Sequence, residues 1–296
     1  AVIDAYYDKL VATGATWQRT DTGTAWWTVQ ATSSESYVWG YADLVVDRAL
    51  AKGIQTVYLI NNVPVWARDP GCIATAPRCA PIDSATIATF CGAVAQHFDG
   101  RVTAYEVRNE PNLSTYSYLN GQATTTYVSN LNACYDAIKA VNSNNIIISA
   151  GLSPANTVFG SSVAPDQWLT DMYALGAKFD AFGMHPYTYP TDPRCPLAQC
   201  SWSSWQKMMG TMRNTMIANG DTNKKMWLTE VGAPTCGPGT AHVMNQNTFT
   251  YGTDYMGLEA QAQIAQQYIK DLRSLPYVEH MFWYTLVDTD STDYSD

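Results

Sequence analysis

Several features that mark common classes of protein are scarce or missing in this chain of 296 residues. Only 15% of the residues are charged, and 17 basic against 26 acidic residues give a net charge of −9, so the basic surface that nucleic acid requires is not predicted. No apolar run approaches the ~20 residues of a membrane span. The four histidines form no HExxH motif and no GxGxxG follows the first strand, which argues against a catalytic zinc and a dinucleotide cofactor. We therefore expect no membrane span, no metal and no cofactor.

What the chain has in abundance is apolar and aromatic surface. Hydrophobic residues make up 46% of it, and there are ten Trp and nineteen Tyr. This is ample for a buried core, and the length, although about twice that of a typical domain, suits one large α/β barrel. We therefore predict a single domain over residues 1–296.

Seven cysteines are many for a cytosolic chain, and their spacing is not that of a metal site. Two pairs bracket short Pro-containing loops, and a third pair lies on two predicted helices that should be neighbours. The predicted pairs are Cys72 with Cys79, Cys195 with Cys200, and Cys91 with Cys134, which leaves Cys236 over. The alternative is seven ordinary buried thiols. The loop pairs favour an oxidising compartment, and hence a secreted or cell-surface protein.

One pattern recurs along the chain: an amphipathic helix, a glycine, and a short apolar strand that ends in polar residues. For example, the helix DSATIATFCGAVAQHF is followed by Gly100 and the strand VTAYEVRNE. Seven such transitions without a break in composition predict βα units and a parallel sheet. Rich loops after each strand favour a (β/α)8 TIM barrel over a doubly wound sheet.

This barrel has one strand too few. The sequence opens on a helix and stops just after the seventh recognisable strand. An open seven-stranded barrel would expose two unpaired edges, so we expect the sequence to be an excerpt, or the first strand and last helix to come from elsewhere. Counted in this way, the strands present are numbers two to eight.

Two glutamates end strands at the place where barrel enzymes keep their catalysts. Glu110 ends strand four in TAYEVRNEPN, and Glu230 ends strand seven in MWLTEVGAPT. They are three βα units apart, so they should face each other across the mouth of the barrel. Paired carboxylates in such a cleft suit the cleavage of glycosidic bonds, which needs a proton donor and an anionic partner. The bland alternative is a pair of salt-bridged strand ends.

Period-two alternation along strand four divides its residues between two faces. It places Glu106, Arg108 and Glu110 on one face and Tyr105, Val107 and Asn109 on the other. Glu106 lies before the strand end and Glu259 at a helix start, so both are expected to be structural or solvated.

Three motifs in the expected strand order carry a resemblance that covers nearly the whole chain. NEPN follows strand four, HPY follows strand six, and TE ends strand seven. With these motifs the sequence resembles the clan A glycoside hydrolases, family 39 and related bacterial endoglycosidases above all. The resemblance implies retention, with carboxylates about 5 to 5.5 Å apart and a covalent glycosyl-enzyme.

The resemblance also implies roles for individual residues. Glu110 would be the acid/base and Glu230 the nucleophile, with Asn109 bonded to the sugar 2-hydroxyl. Tyr187, with His185 beside it, would hold an oxygen of the nucleophile, and Arg19 would form an ion pair with Glu230. Trp283 or Tyr284 would form the floor of the sugar site. His185 could instead be a packed histidine, and Arg19 an ordinary ion-pair residue.

Other residues at strand ends are candidates for contacts with sugar. Asn61 ends the third strand, and Trp66 stands among the loop aromatics Trp26, Trp27 and Trp202, which could be sugar platforms or packing residues. Relatives usually have an aromatic where this chain has Arg108. That side chain could point inward and bind an acidic sugar, or point outward between strand and helix.

The sequence thus predicts a secreted, retaining β-glycoside hydrolase with a carbohydrate substrate and with long pinned loops that favour endo cleavage of a polysaccharide or oligosaccharide. The alternatives are a carbohydrate-binding barrel without turnover and an exo-acting, β-xylosidase-like enzyme. A barrel lyase would need a lysine at a strand end, whereas Lys224 and Lys225 precede their strand.

Overall fold

Seven parallel strands form one sheet in the computed structural model of the chain. The structure describes residues 2–20, 22–33, 36–70, 79–113, 123–195, 200–245, 248–251 and 253–286. Its strands are β1 (Trp17–Arg19), β2 (Gln55–Ile60), β3 (Ala104–Asn109), β4 (Ile146–Gly151), β5 (Ala181–Met184), β6 (Lys225–Val231), β7 (Ala241–His242), β8 (Tyr255–Met256) and β9 (Val278–Trp283). The large sheet has the order β1-β2-β3-β4-β5-β6-β9, and β7 pairs with β8 in a small sheet of their own.

Helices alternate with these strands, as the sequence pattern predicted. They are α1 (Val2–Ala12), α2 (Trp26–Val29), α3 (Gly40–Ala51), α4 (Ser84–His97), α5 (Ala123–Val141), α6 (Pro165–Ala174), α7 (Met212–Ala218) and α8 (Leu258–Leu272). Helix α4 starts where the Asp83 side chain accepts a hydrogen bond from the Thr86 amide. It is followed by Gly100 at φ +75°, a left-handed conformation that glycine adopts without steric cost.

Two helical segments differ from the sequence prediction. The helix expected from Ser36 begins only at Gly40, because the Val38 amide bonds to the Val29 carbonyl and the Tyr37 and Trp39 rings stack. The helix expected over 203–220 is divided into a π-helical stretch, Gln206–Thr211, and α7. Apolar spacing alone does not separate α from π geometry.

Apolar side chains fill two layers of the fold. The larger layer lies between the sheet and the helices and includes Phe90, Leu131, Trp168 and Phe182. The smaller layer lies inside the barrel and is built from alternate strand positions: Val57, Ala104, Ile148, Ala181, Trp227 and Phe282. These side chains fill the interior, and a group of buried charged side chains lies at the end of the barrel above this layer.

The sheet curves into a near-closed barrel, which confirms the predicted fold class as a partial (β/α)8 barrel. The edge strands β1 and β9 approach closely enough for the Trp17 ring to lie 4.9 Å from the His280 ring. Within the described ranges, no backbone pairing joins these two edges. Strands β1 to β6 and β9 therefore take the places of strands two to eight.

Disulfides connect parts of the outer layer. Cys91 on α4 is bonded to Cys134 on α5, and Cys195 is bonded to Cys200, as predicted. Cys79 is also disulfide-bonded, but its predicted partner Cys72 lies outside the described residues. Cys236 is a free, exposed thiol. Among the helices described, none is both long and apolar enough to cross a membrane.

Candidate active site

A group of charged and polar side chains lies at the carboxyl ends of the parallel strands. Because these ends meet at one mouth of a barrel, residues far apart in sequence come together there. Arg19 is contributed by β1, Glu106 and Asn109 by β3, Glu110 by the residue after β3, His185 by the residue after β5, and Thr229 and Glu230 by β6. All of them are nearly or fully buried.

The Arg19 guanidinium joins three acceptors in this group. Its Nε donates to Glu106 Oε2 at 2.5 Å, its Nη1 to Glu230 Oε1 at 2.6 Å and its Nη2 to Asn109 Oδ1 at 2.6 Å. The planar fork of arginine suits such a set of fixed acceptors better than a lysine would. Burial opposes the charge of Arg19, but the Glu106 and Glu230 carboxylates outweigh it, so its pKa rises.

Glu230 is held as a carboxylate by donors on both of its oxygens. Oε1 accepts from Arg19, and Oε2 accepts from the Tyr187 hydroxyl at 3.0 Å. Burial is the largest influence on the pKa of Glu230 and would raise it. The charges of His185 and Arg19 and the Tyr187 hydroxyl outweigh burial, so the pKa of Glu230 lies below its usual value of 4.5.

Glu110 has a different kind of partner. Its Oε1 lies 2.9 Å from His185 Nδ1, and the same nitrogen lies 3.5 Å from Glu230 Oε2. One oxygen of Glu110 and one oxygen of Glu230 lie within 4.8 Å of each other. This separation is closer to the ~5 to 5.5 Å of a retaining pair than to the ~6.5 to 9.5 Å of an inverting pair.

The backbone at the end of β3 departs from regular strand geometry. Arg108 has φ +73° and Glu110 has φ +41°, both uncommon for residues with a side chain. This break overturns the predicted alternation, because Asn109 joins Glu106 and Glu110 on the side of the charged group. The Arg108 side chain instead points outward, away from the charged group, and is fully buried. Its Nη2 donates to the Cys79 carbonyl at 2.9 Å.

Glu106 contributes more to the site than its sequence position indicated. Its carboxylate is fully buried and is not solvated. Besides Arg19, it accepts hydrogen bonds from the Gly151 amide and from Thr229 Oγ1, both at 2.9 Å. The only signal in the sequence is an acidic residue inside an apolar strand, which in itself predicts a buried ion pair.

The segment that carries His185 and Tyr187 is fixed from behind by α8. The Tyr268 hydroxyl donates to the Pro186 carbonyl and lies 3.1 Å from Thr188 Oγ1. Burial, followed by the Glu230 charge, raises the pKa of Tyr187 well above its usual value, so this phenol stays protonated and donates.

The two aromatic candidates on the last strand are placed differently. Trp283 is half-buried and faces the Tyr268 ring, with 6.4 Å between ring centroids. Tyr284 is 40% exposed and lies beside Gly232, where an added Cβ would stand 2.3 Å from the Tyr284 carbonyl oxygen and 3.6 Å from the Tyr187 ring. The backbone of Tyr284 therefore lies near Tyr187, whereas the Trp283 ring packs against α8.

Among the contacts of the described residues, none joins the candidates on the β2 side to the charged group. The Asn61 carbonyl accepts the Trp26 amide, and the half-buried Asn61 side chain stands at the end of β2. Trp66 donates to the Gln30 carbonyl and packs its ring edge against Trp26. Trp26 itself is buried and stacked on Phe90, and Trp202 is buried as well. For Trp26 and Trp202, the packing interpretation is thus the correct one.

Three of these side chains are also of types that bind metal ions. Glu110, His185 and Glu230 each offer one ligand atom, and the three atoms lie within 4.8 Å of one another. A cation placed there would be repelled by the Arg19 guanidinium, which already lies 2.6 Å from Glu230 Oε1. The arrangement therefore suits the sharing of a proton between Glu110 and His185 better than it suits a metal.

Solved structures of glycoside hydrolases share this fold. One is a family 39 glycoside hydrolase from the gut symbiont Bacteroides cellulosilyticus WH2, which aligns with 99% of this chain at 21% identity and a TM-score of 0.71. A family 39 β-xylosidase from Caulobacter crescentus covers 96%, with 17% identity and a TM-score of 0.61. An endoglucanase from the hyperthermophilic Thermotoga maritima covers 95%, with 12% identity and a TM-score of 0.59.

The resemblance to clan A glycoside hydrolases, family 39 in particular, is thereby confirmed at the level of the fold. The chain spans only 55% and 57% of the two family 39 structures, and 82% of the endoglucanase. No family profile matches the sequence, and no curated protein matches it significantly. Because one barrel fold hosts many activities, function must be argued from the site.

Proposed function

We propose that this chain is a retaining β-glycoside hydrolase in which Glu230 is the nucleophile and Glu110 the acid/base. The observation that carries the proposal is the pair of carboxyls within 4.8 Å of each other at the mouth of the barrel. Their surroundings differ as the two roles require. Glu230 is kept anionic by Arg19, whereas Glu110 faces an imidazole with which it can share a proton.

The reaction follows from this division of roles. Glu110 gives a proton to the glycosidic oxygen while Glu230 attacks the anomeric carbon, so that the leaving group departs as an alcohol and a glycosyl-enzyme forms. Glu110, now a carboxylate, then takes a proton from water, which attacks the same carbon and releases Glu230. Asn109 has its Oδ1 engaged by Arg19, which leaves its amide NH2 to donate to the sugar 2-hydroxyl.

We also propose an extended substrate and an endo mode of cleavage. A series of rings leads outward from the catalytic pair: Tyr189 lies 6.0 Å from Tyr187, and Tyr251 lies 5.9 Å from Tyr189. Tyr251 is 62% exposed and offers a flat apolar surface on which a further sugar could stack. Tyr284 is the proposed floor of the site next to the reacting bond. The disulfides support a secreted or cell-surface location.

Substitution of the nucleophile tests the activity. On a panel of aryl β-glycosides and cell-wall glycans, Glu230→Gln should lower kcat by at least ~10³. Glu259→Gln is the matched control, because Glu259 is an exposed glutamate on α8 and should leave kcat unchanged. The lengths of the first products separate the modes, since endo cleavage releases oligosaccharides and exo cleavage single sugars. Wild-type protein that binds glycans and releases no product would contradict the proposal and indicate a carbohydrate-binding barrel.

A further inference from the structure

A chain of four buried side chains connects β3 to the proposed acid from behind. Glu106 Oε1 lies 2.9 Å from Thr229 Oγ1, Thr229 Oγ1 lies 3.1 Å from His185 Nε2, and His185 Nδ1 lies 2.9 Å from Glu110 Oε1. Glu106, Thr229 and His185 have no exposed surface, and Glu110 is 8% exposed. The direction of each hydrogen bond in this chain follows from counting donors and acceptors.

Glu106 fixes the direction at its own end. Its Oε2 is ion-paired with Arg19 at 2.5 Å, and an ionised carboxylate can only accept hydrogen bonds. The single hydrogen of the Thr229 hydroxyl must therefore point at Glu106. The Thr229 oxygen then faces His185 Nε2 with a lone pair, so that Nε2 must carry a hydrogen.

The hydrogen on Nε2 also determines which state the other ring nitrogen, Nδ1, can have. With Nε2 protonated, a neutral His185 has a bare Nδ1, and this nitrogen stands 2.9 Å from Glu110 Oε1. Two acceptors at this distance repel each other unless one proton lies between them. The pair therefore holds one proton, either as the carboxylic acid with neutral imidazole or as the carboxylate with imidazolium.

We propose that Glu106 and Thr229 are positioning residues that fix the Nε2-protonated form of His185 and thereby keep on the His185–Glu110 pair the proton that Glu110 donates. This inference rests on the proposed hydrolase function. In the first step the proton passes from the pair to the glycosidic oxygen, which leaves the Glu110 carboxylate opposite a bare Nδ1. That repulsion is relieved when a proton returns to the pair, as happens in the second step when water gives up its proton.

Close packing keeps the chain in this arrangement. Gly151 lies beneath it, and a Cβ at that position would stand 2.1 Å from His185 Nε2 and 2.5 Å from Thr229 Oγ1. Only glycine fits there, and its amide also donates to Glu106 Oε1. The imidazole and the hydroxyl are therefore both packed directly against the backbone of Gly151.

The other groups that face His185 act together on its proton affinity. Burial is the largest influence and would lower the pKa of His185. The negative charges of Glu230 and Glu110 outweigh both burial and the opposing charge of Arg19, so the pKa of His185 lies above its usual value of 6.5. The Tyr187 ring lies edge-on, 6.4 Å from the imidazole, and brings no charge because its phenol stays protonated.

The first test reads the tautomer directly and does not depend on activity. In protein labelled with 15N-histidine, the chemical shifts of the His185 nitrogens should show a protonated Nε2 in the wild type and in Thr229→Ser, which keeps the hydroxyl. Thr229→Val should lose this state at a pH that is high enough to leave the imidazole neutral, because an imidazolium carries a hydrogen on Nε2 in any variant. Thr56→Val is the matched control, because Thr56 is a buried threonine that bonds only to Gln18 among its described contacts. A wild-type His185 with a bare Nε2 would overturn the proposal even if the enzyme is active.

The second test uses the pH dependence of kcat/KM. Loss of one hydrogen bond to the protonated pair should move the alkaline limb of Thr229→Val down by about one pH unit, so that kcat/KM falls about tenfold on that side. Thr229→Ser and Thr56→Val should keep the wild-type limb. An unmoved limb in Thr229→Val would overturn the proposal, whereas absence of any hydrolysis in the wild type would instead contradict the function on which it rests.

Discussion

The two sides of the barrel mouth hold chemically equal groups in unequal surroundings. On one side, Glu230 has a fixed positive charge and a phenol as donors to its two oxygens. On the other side, Glu110 faces His185, whose own proton can move. The comparison shows how one fold obtains an anion and an acid from the same residue type: the charge state follows from the partners and not from the carboxyl itself.

Removal of the fixed charge should have the largest effect on this comparison. Arg19→Gln would leave Glu106 and Glu230 buried without their cation, so the pKa of Glu230 should rise. We expect kcat/KM to fall by ~10²- to 10³-fold and the acid limb of its pH profile to move to higher pH. Steady-state kinetics from pH 3 to pH 8 measures both.

Two further variants keep this prediction decisive. Arg19→Lys retains a charge but cannot reach three acceptors, so its acid limb should lie between those of the wild type and Arg19→Gln. Arg194→Gln serves as the control, since Arg194 is exposed and pairs only with Asp192 among its described partners. An acid limb that stays in place in both Arg19 variants would show that Glu230 does not depend on this cation.

A smaller effect is expected from the second donor to Glu230. Tyr187→Phe removes the hydrogen bond at 3.0 Å and keeps the ring, so kcat/KM should fall about tenfold and the acid limb should rise by less than in Arg19→Gln. Tyr173→Phe is the matched control, because its hydroxyl bonds to Asp221 on the outer side of the fold. Equal losses in the two phenylalanine variants would count against a role for Tyr187 at the nucleophile.

The sequence was sufficient to predict the barrel, because the transition from a helix to a short apolar strand recurs seven times. It also predicted which residues stand at the strand ends, since the ends of parallel strands share one face. It failed where the backbone leaves regular geometry. Alternation placed Asn109 opposite Glu110, whereas the positive φ of Arg108 brings both into the charged group, where Asn109 bonds to Arg19 and Glu110 to His185.

The role of Glu106 was out of reach of sequence reasoning for a different reason. Its partners Arg19 and Thr229 are 87 and 123 residues away, and no local pattern encodes such contacts. The sequence also does not separate a tryptophan that binds sugar from one that packs in the core. Trp26 follows a strand end, as a sugar platform would, and yet it stacks on Phe90. In each case the deciding information is a contact between distant segments.

The smallest predicted effect concerns the pH dependence of stability, to which Glu230 and His185 contribute with opposite signs. The pKa of Glu230 is lowered in the folded state, so Glu230 stabilises the fold above about pH 4.5. This stabilisation is lost as the pH falls through the folded-state pKa. The pKa of His185 is raised in the folded state, so His185 stabilises the fold below about pH 6.5. This stabilisation is lost as the pH rises through the folded-state pKa. Both contributions are present together only between these limits.

Thermal unfolding should therefore show its highest Tm between about pH 4.5 and pH 6.5. On each flank the Tm should fall, because the folded-state interaction of the corresponding group is lost there. His185→Gln should flatten the alkaline flank. His280→Gln should leave that flank as it is, because burial lowers the pKa of His280, so that its effect on stability changes with pH only below about pH 6.5. An alkaline flank that keeps its slope in His185→Gln would mean that the imidazole does not hold the proton that distinguishes the Glu110 side from the Glu230 side.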